Sequence, residues 1–249
     1  MFLQSFEINR RSSVDEIVAK DYRTADVFRR HGIGYCCGGK WPMEMACEMQ
    51  GADADKVQAE LQQSVRTMQV SNQLDFANWD LDFLIDYLVN VHHQYLKKSL
   101  PVTEQLLTEL VTKHNKKFSY LVALEKQFHL LVQQLLPSVQ KEEEVIFPYI
   151  RHLVHAHKNK EPYAVLFIRT LHKPVEETLF KGHEIVTGMI LSIRQLTNQY
   201  NTPENSCISH TVILAKLKEL DNDLMQHLYL EKSVLFPRAA ALEKEVLNA

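Results

Sequence analysis

The chain from Trp79 onward carries apolar side chains at the three- and four-residue spacings of amphipathic helices. The first helix has its apolar face at Leu81, Leu84, Ile85, Leu88, Val89, His92 or His93, and Leu96. Similar patterns predict a second helical region over about 102–154 with a break near His114, a third over about 171–200 and a fourth over about 207–246. Four long amphipathic helices pack most economically as a four-helix bundle.

The amino-terminal residues have a different pattern, in which short helical stretches flank a tight loop. The predicted elements are helices over 14–30, 43–49 and 53–68 and a glycine-rich loop over 32–40. A polar stretch, 69–78, is typical of a linker. We therefore predict an all-α fold, with a small helical cysteine-containing domain at 1–70 and a four-helix bundle at 79–249.

Composition supports a globular helical protein and excludes several classes. Apolar residues make up 45% of the chain, and only 7 of its 249 residues are glycine. With a net charge of −3, the chain lacks the broad positive field of nucleic-acid binders. No apolar run approaches the ~20 residues needed to cross a bilayer, and 1–11 lacks the apolar core of a signal peptide. We expect a cytoplasmic protein without nucleic-acid or membrane partners, and its four cysteines, two of them adjacent, do not resemble a disulfide framework.

An internal repeat is the most informative feature of the bundle. Residues 141–148 resemble 230–237, and the offset of 89 residues superposes Glu142 on Glu231. His93 and His183 lie 90 residues apart. The bundle therefore consists of two similar helix pairs, and each pair supplies one histidine from its first helix and one glutamate from its second.

These residue types suit a metal site. His227 and Glu231 are four residues apart, so their side chains leave one helix face on adjacent turns. Imidazole and carboxylate ligands from facing helices suit iron or manganese, and two bridging carboxylates would hold a dinuclear centre. A single buried histidine is more often a hydrogen-bonded core residue than a ligand. The repeat favours a metal site, because an inward carboxylate is costly unless it is paired or metal-bound. Glu143 and Glu144 are expected to form a solvated face.

Several stretches make the chain similar to the di-iron family that repairs iron–sulfur clusters, in which a hemerythrin-like bundle follows a small cysteine-containing domain. The matching stretches are Asp21–Ala25, Gly32–Lys40, Leu84–Asp86, Lys141–Glu143, Gly182–Glu184 and His227–Glu231, together with the two Phe-Pro pairs at 147–148 and 236–237. The resemblance implies a non-haem di-iron centre, held by four histidines and two bridging glutamates and open to an oxo bridge.

Carried over by position, the resemblance implies a set of five ligands: His93, Glu142, His183, His227 and Glu231. The place of the sixth, four residues before Glu142, is occupied by Ser138, directly after Pro137. This departure predicts that one iron has water or an open position where the family has nitrogen. The neighbouring His92 is the alternative ligand on this helix, and the repeat offset favours His93.

Cys36 and Cys37 lie in the glycine-rich loop ahead of a short helix, near Lys40. A nearby cation and a helix amino terminus lower a thiol pKa, so the pair is a candidate for reactive thiolates that assist iron transfer or docking. The alternative is that the glycines shape a turn and the thiols only pack. Cys47 is a further candidate, whereas Cys207 is expected to be structural.

The resemblance implies repair of iron–sulfur clusters damaged by oxidative or nitrosative stress, through release of iron from the His/Glu site to damaged proteins. The residues alone imply only a carboxylate-bridged metal centre. Two alternatives remain: a bundle that binds or senses oxygen or nitric oxide, and an interaction module with little metal. Redox or nitric-oxide chemistry at the centre is equally available, and a homodimer through the amino-terminal domain is a further expectation.

Overall fold

A computed structural model describes residues 2–4, 7–36, 39–68, 74–160 and 175–248. It divides into two compact units: the first comprises residues 1–73 and 200–217, and the second comprises 74–199 and 218–249. The described residues are mainly helical, so the all-α prediction is confirmed. No helix in the described ranges combines the length and the apolar character needed to span a membrane.

The first unit contains four helices and a pair of short strands among its described residues. These elements are β1 (Phe2–Gln4), α1 (Val14–Lys20), α2 (Thr24–Arg30), α3 (Met43–Gln50), α4 (Ala54–Ser64) and β2 (Arg66–Met68). Ser13 and Glu16 form a reciprocal capping box at the start of α1. Asp53 caps α4 and accepts hydrogen bonds from the amides of Asp55 and Lys56.

Two predicted boundaries in this unit were wrong. The stretch 14–30 is two helices, because the chain leaves helical geometry at Asp21, whose carboxylate binds the backbone amide and guanidinium of Arg23. The helix predicted to reach Met68 ends at Ser64, and Arg66–Met68 pairs antiparallel with Phe2–Gln4. Pairing with a distant strand therefore overrides the local helical pattern.

The core of the first unit includes side chains from the start of the helix at 208–229. Phe28, Met43 and Leu61 are fully buried there, and Val212 belongs to the same cluster, with Ile208 packed against it. Within this unit the ammonium of Lys216 also donates to Asp26 at 2.6 Å. The small domain is therefore completed by residues far along the sequence.

Gly39 lets the cysteine loop close against its own backbone. A Cβ at Gly39 would lie 2.4 Å from the carbonyl oxygen of Tyr35 and 2.9 Å from the Cβ of Asp15. We expect Gly39→Ala to lower the free energy of unfolding by roughly 2 kcal/mol, since a backbone atom must shift. Gly34→Ala is the matched control, because its Cβ would meet no described atom within 4 Å. Urea unfolding measures both, and equal losses would contradict the argument.

The second unit contains the bundle. Its described elements are a 3-10 turn (Phe76–Asn78), α5 (Leu81–Tyr87), π1 (Leu88–His93), α6 (Gln94–His114), α7 (Tyr120–Lys141), π2 (Glu142–Ile146), α8 (Phe147–Asn159), α9 (Val175–Leu196), the part of α10 (Ile208–Tyr229) from Lys218 onward, π3 (Leu230–Leu235) and α11 (Phe236–Asn248). The π segments are single wide turns inside otherwise α-helical rods. Four rods therefore run α5–α6, α7–α8, α9 and α10–α11, and the predicted break near His114 lies at the end of the first.

The predicted separation of the first two helical regions near residue 100 was wrong. Pro101 lies inside α6, which continues to His114. An interior proline costs ~3 kcal/mol, so its helix must be held by packing. Leu100, Leu106 and Leu107 are buried on the inner face of α6, which packs against α7. The third and fourth helices begin and end close to their predicted positions, although 171–174 lies outside the described residues.

Candidate metal centre

All three π segments carry or adjoin the polar side chains of the bundle interior. His93 ends π1, Glu142 begins π2, and Glu231 is the second residue of π3. Pro148 and Pro237 follow π2 and π3 within two residues. A proline ring clashes with the carbonyl four residues earlier, which widens the preceding turn. The repeated Phe-Pro pair therefore accounts for both wide turns, and such turns are frequent at functional sites.

Four predicted ligands meet at one point. His93, Glu142, His227 and Glu231 each offer a ligand atom within 4.8 Å of the others, and all four side chains are buried. His93 Nε2 lies 3.3 Å from Glu142 Oε2, and His227 Nε2 lies 3.4 Å from Glu231 Oε1. His93 Nε2 also lies 3.1 Å from His227 Nε2, so the group joins three of the four helical rods at the centre of the bundle.

The fifth predicted ligand lies on the other side of Glu231. His183 Nε2 is 3.1 Å from Glu231 Oε2. Ser138, at the position of the missing histidine, donates its hydroxyl to Glu142 Oε1 at 3.2 Å. The structure thus places the three predicted histidine ligands and Ser138 around the two predicted glutamate ligands.

The charges at this centre are strongly coupled. Burial alone would raise the pKa of Glu231, but the neighbouring His227 and His183 hold it well below its usual range. Burial alone would lower the pKa of His227, but the carboxylates of Glu231 and Glu142 hold it at about 9. Without a cation, the neighbouring carboxylates favour the imidazolium form of His227. A metal that binds here displaces that proton.

Glu143 was predicted to be solvated, and this was wrong. Its carboxylate oxygen Oε1 accepts a hydrogen bond from His93 Nδ1 at 2.9 Å, and Lys97 donates to Oε2 at 2.6 Å. An ionised carboxylate only accepts, so the proton of His93 resides on Nδ1 and the Nε2 lone pair faces the centre. A carboxylate behind a ligand histidine commonly orients it. From the sequence, only this general rule could have indicated a role for Glu143. Glu144 is exposed, as predicted.

His92 has a supporting position. It is fully buried, its Nδ1 lies 3.0 Å from Asp223 Oδ1, and its ring stacks on His227 with centroids 5.9 Å apart. It does not belong to the four-residue group of ligand atoms. The geometry therefore agrees with the choice of His93 over His92 as ligand.

The donor set fits a pair of cations. Several buried side-chain atoms of this centre lack a well-formed hydrogen bond among the described residues: His183 Nδ1 and Nε2, His227 Nδ1, Glu142 Oε2, and both oxygens of Glu231. Some of them lie only at ion-pair distance from one another, as His183 Nε2 and Glu231 Oε2 do. Unsatisfied buried polar atoms are costly, so this cluster is poorly explained as ordinary core. Imidazole nitrogen and carboxylate oxygen are the ligands that non-haem iron takes, and each glutamate offers two oxygens.

The cysteines divide into an exposed loop and a buried core. Cys36 is half-buried in the loop, whereas Cys37 lies outside the described residues. Cys47 is fully buried in the core of the first unit, and burial raises the pKa of its thiol, so it is a poor candidate for the reactive set. Cys207 is not simply structural. Its thiol forms a hydrogen bond with that of Cys36, and burial raises its pKa.

Comparison with known protein families covers most of the chain. A family model described as a domain of unknown function (DUF542, ScdA_N) matches residues 10–65. A second, described as the hemerythrin HHE cation-binding domain, matches residues 84–239. The second match contains all five predicted ligands together with Ser138. The matched family and the buried His/Glu cluster both suit a non-haem di-iron centre.

Curated relatives match almost end to end at modest identity. The iron-sulfur cluster repair protein YtfE of Enterobacter sp. (strain 638) is 27% identical over 234 residues, which cover 94% of this chain and 99% of that protein. The proteins of the same name from Escherichia coli O1:K1 / APEC and Escherichia fergusonii are each 26% identical over the same shares.

Proposed function

The chain belongs to the hemerythrin HHE cation-binding family, and from that premise we propose that it repairs iron–sulfur clusters damaged by oxidative or nitrosative stress. One observation carries the proposal: five buried His and Glu ligands converge in a chain that matches cluster-repair proteins over 94% of its length. The relatives do not favour the alternative of a protein that only binds or senses oxygen or nitric oxide.

The residues that would hold the iron are His93, Glu142, His183, His227 and Glu231. Iron held by such ligands changes oxidation state and exchanges ligands, which is the chemistry that donation to a damaged cluster requires. The chain prepares its donors for this role. Glu143 and Lys97 fix the Nε2 lone pair of His93 toward the centre, and Asp223 holds His92 against His227. All five ligands are buried, which limits competition from water.

The amino-terminal unit supplies a surface for clients. Cys36 is half-buried in its loop, and three large apolar side chains near it in sequence are exposed: Trp41, Met45 and Met49. We propose that this surface docks damaged iron–sulfur proteins or a second copy of the chain, with Cys36 and Cys37 assisting transfer. Cys36, Cys47 and Cys207 form no disulfide among the described residues, which supports the proposal of a cytoplasmic location.

Reactivation of a cluster-damaged dehydratase tests the function. The iron-loaded protein is expected to restore activity, and the metal-free protein is expected to restore none. A Cys36→Ser/Cys37→Ser double variant that keeps its iron should restore activity more slowly if the loop takes part. Cys47→Ser, whose thiol is buried in the core, is the matched control for loss of a cysteine.

Two outcomes would overturn parts of this proposal. If the iron-loaded protein restores no activity above that of free ferrous iron at equal concentration, repair by donation is excluded. If the double cysteine variant restores activity at the full rate, the loop has no part in transfer. The gas-binding alternative predicts ligand-dependent absorption changes without any recovery of the dehydratase.

A further inference from the structure

Each of the two glutamates turns its two carboxylate oxygens toward different side chains. Glu142 Oε2 faces His93 Nε2 at 3.3 Å and His227 Nε2 at 3.9 Å, whereas its Oε1 accepts from Ser138. Glu231 Oε1 faces His227, and its Oε2 faces His183. The carboxylates therefore separate the centre into two sides, which we call the two-histidine side and the serine side.

The two sides differ in their donors. The two-histidine side offers the Nε2 atoms of His93 and His227 with one oxygen from each glutamate, and these four atoms form the compact group. The serine side offers one imidazole, His183, the other oxygen of each glutamate, and the neutral hydroxyl of Ser138. A neutral hydroxyl is a much weaker ligand than imidazole for a divalent transition metal. The serine side is therefore short of one strong donor.

The two sides also differ in access. A cavity of about 340 Å³ lies between α9 and the last rod, lined by residues that include His183, Thr187, Gly188, Lys232 and Ser233. His183 is 6% exposed, whereas His93 is fully buried and His227 is 2% exposed. The cavity therefore brings solvent closer to His183, on the serine side, than to His93 or His227.

We propose that the two metal positions are unequal: the two-histidine side loads first and retains its metal, and the serine side binds weakly and exchanges. This inequality follows from the donor sets and does not depend on repair. If the proposed function holds as well, the metal on the serine side is the one transferred to a damaged cluster.

Titration of the metal-free full-length protein with Co²⁺, followed by absorbance and by metal content after dialysis, tests the proposal. We expect two steps whose dissociation constants differ by at least about tenfold, since even an outer ligand partner is worth 10–100-fold in metal affinity. Ser138→His should tighten the second step and leave the first unchanged. Gln140→His, exposed on the same helix, is the control and should leave both steps unchanged.

A second pair of variants keeps the test decisive if Ser138→His does not fold beside Pro137. His183→Ala should remove only the weak step, whereas His93→Ala should weaken the tight one. Two equal steps in the unaltered protein, or loss of the tight step in His183→Ala, would overturn the proposal. A protein that loads in two unequal steps but reactivates no dehydratase would support the inequality and remove the repair function.

Discussion

Glu231→Gln is expected to weaken metal binding on both sides of the centre by more than about 100-fold, since an outer-shell change alone costs 10–100-fold. Glu231 is fully buried, and its two oxygens face different histidines, His227 and His183. The amide retains the volume of the side chain but has one weaker oxygen and an NH₂ group that repels a cation. Because one donor set loses its oxygen and the other keeps only the weaker amide oxygen, metal binding at both positions should weaken.

Metal content after dialysis and Co²⁺ titration measure the effect of this substitution. Glu144→Gln is the matched control, because Glu144 is exposed two residues after Glu142 and contacts Gln140. It should retain the metal content of the unaltered protein. Retention of one tightly bound metal in Glu231→Gln would show that this glutamate serves only one side. Circular dichroism distinguishes loss of metal from loss of fold.

The sequence predicted the bundle because its signals are local and redundant. Apolar spacing, the break near His114 and the repeated Phe-Pro pairs each constrain the same four rods. The ligand positions were reachable because the repeat relates Glu142 to Glu231, and a carboxylate on an inward face requires a partner. Agreement among independent signals made these predictions possible.

Features that depend on distant partners could not be predicted. β2 exists because it pairs with β1 from the other end of the small domain, and Val212 joins that domain's core from more than a hundred residues away. Glu143 is recruited by His93 from a different helical rod, and Cys207 meets Cys36 only in the folded chain. The local sequence predicts something different in each case: a helix for β2, a solvated face for Glu143 and an isolated thiol for Cys207.

Removal of metal is expected to destabilise the bundle strongly. In the absence of a cation, several buried nitrogen and oxygen atoms of His183, His227 and Glu231 lack well-formed hydrogen bonds among the described residues, and only ion pairs join these side chains. A ligand that binds only the folded state stabilises it by about 4 kcal/mol at a concentration 1,000 times its dissociation constant. For a protein of this size, that corresponds to a rise in Tm of roughly 10 °C. Thermal unfolding followed by circular dichroism, with and without Fe²⁺ under anaerobic conditions, measures the shift.

The comparison with Glu231→Gln makes this prediction specific to the centre. That variant has lost the Glu231 carboxylate, so Fe²⁺ should raise its Tm little, whereas the metal-dependent rise should persist in Glu144→Gln. An equal rise in all three proteins would mean that Fe²⁺ acts elsewhere on the folded chain. A loaded protein that melts at the same temperature as the metal-free one would mean that the buried imidazoles and carboxylates already satisfy one another, as the His227–Glu231 ion pair does in part. The cluster would then be a structural charge network, and its burial would not require a cation.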